Sequence, residues 1–196
     1  MSKEARRSQL LANARDAFSE LGYSGTTMED IAARSGVARS LLYEHFDSLD
    51  ALYLECVRDA RTELDRRLTV AAALPGPPRD RLRAGVHAYF TFVKDHGTGW
   101  DVLFASSPTP SATVGKAAAR LRFRTAEQIA ALFLAEQPQL QPDEAHAYAH
   151  AVTGAGEQLA RWWRHNLEVP LETVVERMMR IVWEGLKDTF EARESK

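Results

Sequence analysis

The eight prolines of this 196-residue chain fall in four places: Pro75, Pro77 and Pro78; Pro108 and Pro110; Pro138 and Pro142; and Pro170. Proline removes a backbone donor and clashes with the preceding helical turn, so long intervals free of it are where helices can run. Within those intervals apolar residues recur every three or four positions, as in Leu10, Leu11, Ala14, Phe18 and Leu21, or Leu82, Val86, Tyr89, Phe90 and Val93. No sustained two-residue alternation marks a sheet. The pattern predicts an all-α chain of about nine helices: 3–21, 28–35, 39–45, one from the N-cap candidates Asp47 and Ser48 to about 73, then 79–96, 100–106, 111–137, 143–166 and 171–192. The strongest break is Pro75-Gly76-Pro77-Pro78. A small head over 1–47 and a larger helical domain over 48–196 are expected.

Hydrophobic types make up 45% of the chain and charged types 27%, enough to bury a core and too apolar for a disordered chain. No run of about 18 apolar residues occurs and the first residues mix charge with apolar spacing, so neither a membrane span nor a signal peptide is expected and the protein reads as cytoplasmic. Cys56, the single cysteine, excludes an internal disulfide and a multi-cysteine metal cage, and reads as a small core residue. A net charge of −2 gives no global basic footprint, so a case for nucleic acid must come from local residues.

The stretch from Thr26 to Phe46 supplies it. Thr27 followed by Asp30 is a capping-box pattern that fixes a helix start, and Gly36 suits the positive φ that ends the helix. Ile31 and Ala32 form an inner face, Val37 plugs the core after the turn, and Leu42 and Phe46 continue the buried stripe on a second short helix. Arg39, Ser40, Tyr43 and Leu41 are left facing outward. This is a helix-turn-helix, whose second helix in DNA-binding proteins enters the major groove. The same geometry also describes a helical hairpin inside a bundle.

Ala17-Phe18, Gly22-Tyr23, Thr26-Thr27, Ile31-Ala32, Gly36-Val37 and Leu42-Tyr43-x-His45-Phe46 closely resemble the N-terminal domain of the tetracycline-repressor (TetR) family of transcriptional regulators, over about residues 8–54. The rest of the chain is similar only in organisation. The resemblance implies a homodimer that reads a palindromic operator and whose C-terminal domain binds a small effector. It also implies that Thr26 and Thr27 lie beside phosphates, Arg39, Ser40 and Leu41 at base edges, and Tyr43 and His45 on the DNA backbone. The chemistry fits: a guanidinium can grip guanine O6 and N7, and a leucine can meet a thymine methyl. Lys3, Arg6 and Arg7 read either as a basic arm or as a solvated terminus.

This head departs in charge from the family it resembles. Asp47-Ser48-Leu49-Asp50 offers no cation where relatives carry a lysine, Glu44 and Asp47 add negative charge, and Ala38 stands where many have a capping serine. Through residue 48 there are six cations (Lys3, Arg6, Arg7, Arg15, Arg34, Arg39) against seven anions (Glu4, Asp16, Glu20, Glu29, Asp30, Glu44, Asp47), which predicts few phosphate ion pairs.

Towards the C-terminus, Ala145, Ala149, Val152, Gly156, Leu159 and Trp163 form one stripe, with Tyr148, Ala155 and Trp162 on a second. Leu171, Val175, Met178, Val182 and Leu186 form a line on the last helix, with Met179, Trp183 and Phe190 near another. Helices apolar on two faces are buried on both, so the last two helices are expected to pair with their two-fold mates through Ala149, Val152, Gly156, Leu159, Trp163, Val175, Met178 and Val182, with Gly154, Ala155 and Gly156 allowing close approach. A monomer whose own domain covers both faces is the alternative. For a largely apolar or aromatic effector the candidate pocket residues are Tyr89, Phe92, Trp100 and Phe104, together with Phe123, Tyr148, Gln158 and Trp162; taken singly, each reads more readily as ordinary helical core.

His146 and His150 stand one helical turn apart, but two imidazoles without a third donor are not a metal site, and no metal is expected. No phosphate loop, nucleophile elbow or dinucleotide fingerprint is present, so the chain reads as a cofactor-free non-enzyme. The sequence points to a homodimeric, effector-controlled DNA-binding regulator, more readily a repressor than an activator. A helical dimeric adaptor that binds protein and no specific DNA is the alternative.

Overall fold

In a computed structural model, residues 2–104 and 112–191 are described, and these contain nine helices and no strand. They are α1 (Lys3–Leu21), α2 (Met28–Ser35), α3 (Arg39–Tyr43), α4 (Leu49–Ala72), α5 (Pro78–Asp95), α6 (Gly97–Leu103), α7 (Ala112–Glu136), α8 (Pro142–Arg164) and α9 (Leu171–Glu191). The sixth starts three residues earlier than expected, at Gly97 directly after His96. Expected ends at 106, 111 and 192, Pro108 and Pro110, and the side chain of Phe190 lie outside what is described. Among the described residues no helix is long and apolar enough to cross a membrane.

Local chemistry accounts for the boundaries. Ser2 caps α1 by accepting from the Ala5 N–H at 3.1 Å, and Ser48 caps α4 by accepting from Ala51 N–H at 3.1 Å. Gln141 and Glu144 form a capping box at the start of α8, with Pro142 in its first turn. Between α1 and α2, a Cβ on Gly25 would sit 2.4 Å from the Leu21 carbonyl oxygen, so only glycine lets the chain double back there.

The chain divides into two compact units. Of the described residues, the first takes 2–63, 96–104 and 112–122, so it includes α6 and the start of α7 along with α1 to α3 and most of α4. Its centre is Leu10, Ala14, Ile31, Leu42, Leu52 and Val57, all with essentially no exposure. Each of the leucine, isoleucine and valine side chains contributes about 1.5–3 kcal/mol by leaving water. Phe18, Tyr23 and Tyr53 form an aromatic triad with centroids 5.0–5.9 Å apart. The Tyr23 hydroxyl donates to the Asp50 carboxylate, and burial, with that carboxylate, holds its phenol above the usual tyrosine range. Cys56 is buried as expected, its thiol pushed up to about 12 by desolvation, so it carries no thiolate.

The second unit takes residues 64–95 and 123–191, in which α5 packs on α9 and α8 packs on both. Phe90 lies edge-on to Trp163 at 5.8 Å, and the Trp163 indole N–H donates to the Val169 carbonyl at 2.8 Å. Arg83 on α5 reaches Glu172 and Glu176 on α9, each at 2.8 Å.

This packing corrects the expected dimer surface. Ala149, Val152, Gly156, Trp163, Val175, Met178 and Val182 are buried inside a single chain, and Leu159 is half-buried. A Cβ on Gly156 would meet Tyr89 and Met178 of its own chain at 3.7 and 3.8 Å. The stripes are covered within the unit, where α5, α8 and α9 pack on one another. The open face is elsewhere: Trp162 is 41% exposed, Ile181 67%, and a Cβ at Gly154 or Gly185 would meet nothing within 4 Å.

Candidate nucleic-acid interface

In the segment from Thr27 to Phe46 each turn follows from residue chemistry. The Thr27 hydroxyl oxygen accepts from Asp30 N–H at 3.2 Å, and the Asp30 carboxylate accepts from the Thr27 hydroxyl at 2.6 Å and the Thr27 N–H at 2.9 Å. The hydroxyl first, then the backbone N–H, hold the Asp30 carboxyl below the usual aspartate range. At the other end of α2, Gly36 takes the left-handed conformation at φ 64°, and Val37 N–H donates to the Ala32 carbonyl at 3.1 Å. Ala38 precedes α3 without a side-chain cap. Leu42 and Phe46 are buried, which fixes the opposite face of α3 outward.

On that outward face stand Arg39, Ser40 and Tyr43, all exposed, with Leu41 and His45 half-buried beside them. Thr26 departs from the expectation. It is only 3% exposed, and its hydroxyl donates to the carbonyls of Gly22 at 2.7 Å and Ala17 at 3.3 Å. A buried hydroxyl is stable only with such partners, so Thr26 closes the end of α1 and does not face phosphate. Thr27 is exposed, but its hydroxyl proton serves its own capping box.

The basic residues are engaged too. Arg39 pairs with Glu29, donates to the Tyr43 hydroxyl at 3.1 Å and lies 5.3 Å from the centre of the Tyr43 ring. Arg34 pairs with Glu20, Arg15 with Asp59, and Arg7 with Glu55 at 3.2 Å while covering the Phe46 ring at 4.9 Å. Residues 3 to 7 are therefore not a loose arm: they are the first turn and more of α1, with Arg6 bonded to Gln9. Sequence reasoning missed Glu29 as a partner of Arg39. The available signal was its place in the first turn of α2, beside the start of α3.

The expected effector residues are placed in separate surroundings. Trp100 and Phe104 are buried in the first unit with rings 5.3 Å apart. In the second unit Phe92 is buried and Tyr89 and Tyr148 half-buried, whereas Phe123 is 55% exposed beside His150, and Gln158 and Trp162 are exposed. His146 faces Glu127, and no group of three or more potential metal ligands occurs among the described residues.

The geometry is that of a helix-turn-helix DNA-binding regulator. Residues 10–56 match the family described as bacterial regulatory proteins, tetR family, and residues 78–185 match the tetracyclin repressor-like C-terminal domain. The chain belongs to the TetR family, and its members' function is transcriptional regulation, not catalysis. It is 29% identical over 189 residues to the HTH-type transcriptional activator FasR of Mycolicibacterium smegmatis, a match spanning 95% of this chain and 85% of that protein. A TetR-like transcriptional regulator from Rhodococcus sp. RHA1 superposes with a TM-score of 0.79 and 27% identity, covering 95% of this chain and 98% of that one. AibR, solved in complex with isovaleryl coenzyme A and operator DNA, shares the fold with a TM-score of 0.74 at 18% identity, covering 90% and 97%.

Proposed function

We propose that the protein is a homodimeric regulator that reads a palindromic operator through α3 and is released from it by a small, largely apolar or aromatic effector. The observation that carries the reading is the outward set Arg39, Ser40, Leu41, Tyr43 and His45 on a short helix fixed by the buried Leu42 and Phe46. One five-residue helix reads only a few base pairs, so selectivity requires two heads related by a two-fold axis. The exposed face of α8 and α9 around Gly154, Trp162 and Ile181 is the surface for the second copy: two glycines open to solvent, Gly154 and Gly185, permit close helix approach.

An effector that favours a different separation of the heads lowers operator affinity through that difference alone. Tyr89, Phe92, Trp100, Phe104, Phe123, Tyr148, Gln158 and Trp162 remain our candidates for the effector-responsive set. Acyl-coenzyme A esters belong in the first screen because AibR was solved with one.

Repression by occluding a promoter is the proposed mode. Activation is the second reading, favoured by the full-length similarity to the activator FasR. Selection of tight binders from a random duplex library, followed by a reporter driven through the selected site, tests both. A palindrome is expected, with reporter output falling under repression and rising under activation. A folded dimer that enriches no duplex would instead support the protein-binding adaptor.

A further inference from the structure

Arg39 is held from two sides by its own chain. Glu29, in the first turn of α2, pairs with Nη1, and the Tyr43 hydroxyl, one turn along α3, accepts from Nη2 while the tyrosine ring lies under the guanidinium. A guanidinium has five N–H groups. One bond to each partner leaves three, enough for a bidentate grip on the O6 and N7 edge of guanine without either internal contact being given up. The Tyr43 hydroxyl accepts from Arg39, so its own proton stays available for a phosphate oxygen.

Resting on the DNA-reading role proposed above, we infer that Glu29 is a specificity-determining positioning residue, which orients the Arg39 guanidinium for one base and stays paired with it in the operator complex. A long flexible side chain loses rotamer freedom when it docks, and a side chain already oriented loses less. The carboxylate also places a negative charge at the DNA-facing surface, where it opposes phosphate contacts that carry no sequence information. Glu29 therefore raises the affinity for a duplex that carries the right base and lowers it for duplexes that lack that base.

The two alternatives to positioning give other signs. A carboxylate acting only as a repulsive charge weakens selected and random duplexes alike, so its removal strengthens both. A latch that Arg39 must leave on binding also costs operator affinity, so its removal strengthens operator binding.

The test is a double-mutant cycle on the full-length protein with Glu29→Gln, Arg39→Ala and the double variant, titrated against the selected palindrome, the same palindrome with the preferred guanine replaced, and a random duplex. Glu44→Gln, at the end of α3, serves as the charge control. Exposed ion pairs are individually weak, so Glu29→Gln is expected to reduce operator affinity about threefold per head, about tenfold for two heads. Random-duplex affinity should hold or rise, preference for guanine should relax, and the loss should vanish in the Arg39→Ala background. Glu29→Ala should reproduce the result. A gain in operator affinity, an unchanged guanine preference, or an effect that persists without Arg39 overturns the inference and leaves the regulator reading standing. Equal changes from Glu44→Gln do the same. If the wild-type chain selects no duplex, the DNA-reading role itself fails and the inference with it.

Discussion

The Ser19 hydroxyl on α1 donates to the Asp101 carboxylate on α6 at 2.6 Å, joining residues 82 positions apart. Both belong to the first unit, where α1 packs on α6. In the same unit the Tyr53 hydroxyl reaches the Val102 carbonyl at 3.4 Å and Arg122 Nε–H donates to the Leu103 carbonyl at 3.2 Å. α6 is thus held to the helix-turn-helix head by charge-assisted and backbone-directed bonds. Because the pair is only part-buried, Ser19→Ala should cost about 1 kcal/mol, less than a fully buried bond to a charged group. Chemical denaturation should show it as a lowered midpoint with unchanged slope.

Arg39→Ala should weaken operator binding by roughly 1–3 kcal/mol and relax preference at one position in each half-site. Selection repeated with the variant checks this. An unchanged motif would remove Arg39 from base reading.

The salt dependence of binding should be shallow. Arg7, Arg15, Arg34 and Arg39 each already face a carboxylate of the same chain, so few phosphates gain a cation. With about 0.9 counterions released per neutralised phosphate, a log–log slope steeper than about −8 would contradict the arrangement.

The capping box of α2 should lend the fold an acid-side pH dependence. The Asp30 carboxyl lies below its ordinary value because Thr27 donates to its charged form, so the group stabilises the fold above the unfolded-state value and that contribution disappears as pH falls through the lower folded value. Thermal midpoints of wild type and Asp30→Asn should therefore converge as pH falls below about 4 and separate above it. Thr27→Ala should cost about 0.5–2 kcal/mol at neutral pH through loss of the cap.

Ile181→Glu and Met178→Ala separate self-association from folding. Ile181 is exposed and Met178 buried on the same helix. The first should shift the protein to monomer in sedimentation with stability within about 0.5 kcal/mol of wild type at the level of the fold. The second should destabilise by about 2–5 kcal/mol through an unfilled cavity.

Helix starts and ends were legible because they depend on neighbours in the chain. Thr27 and Asp30 lie within one turn of each other, Gly36 ends its helix by its own backbone freedom, and Ser48 and Glu144 cap locally. The outward set on α3 was legible for the same reason, since Leu42 and Phe46 define the inner side by helical spacing. The hydrophobic pattern of α8 and α9 located the buried stripes through Ala149, Trp163 and Met178 but carried no label for what covers them.

The sequence by itself determined an all-helical chain, the helix-turn-helix and the outward side of its second helix, because capping, turn and periodicity are set over a few residues. Tertiary structure alone decided that Trp163 meets Phe90 of α5 while Trp162 and Ile181 stay open, that Thr26 turns its hydroxyl inward, and that Glu29 grips Arg39. Each of those depends on which surfaces meet in space, and burial and charge pairing act through distance in the fold, not distance along the chain.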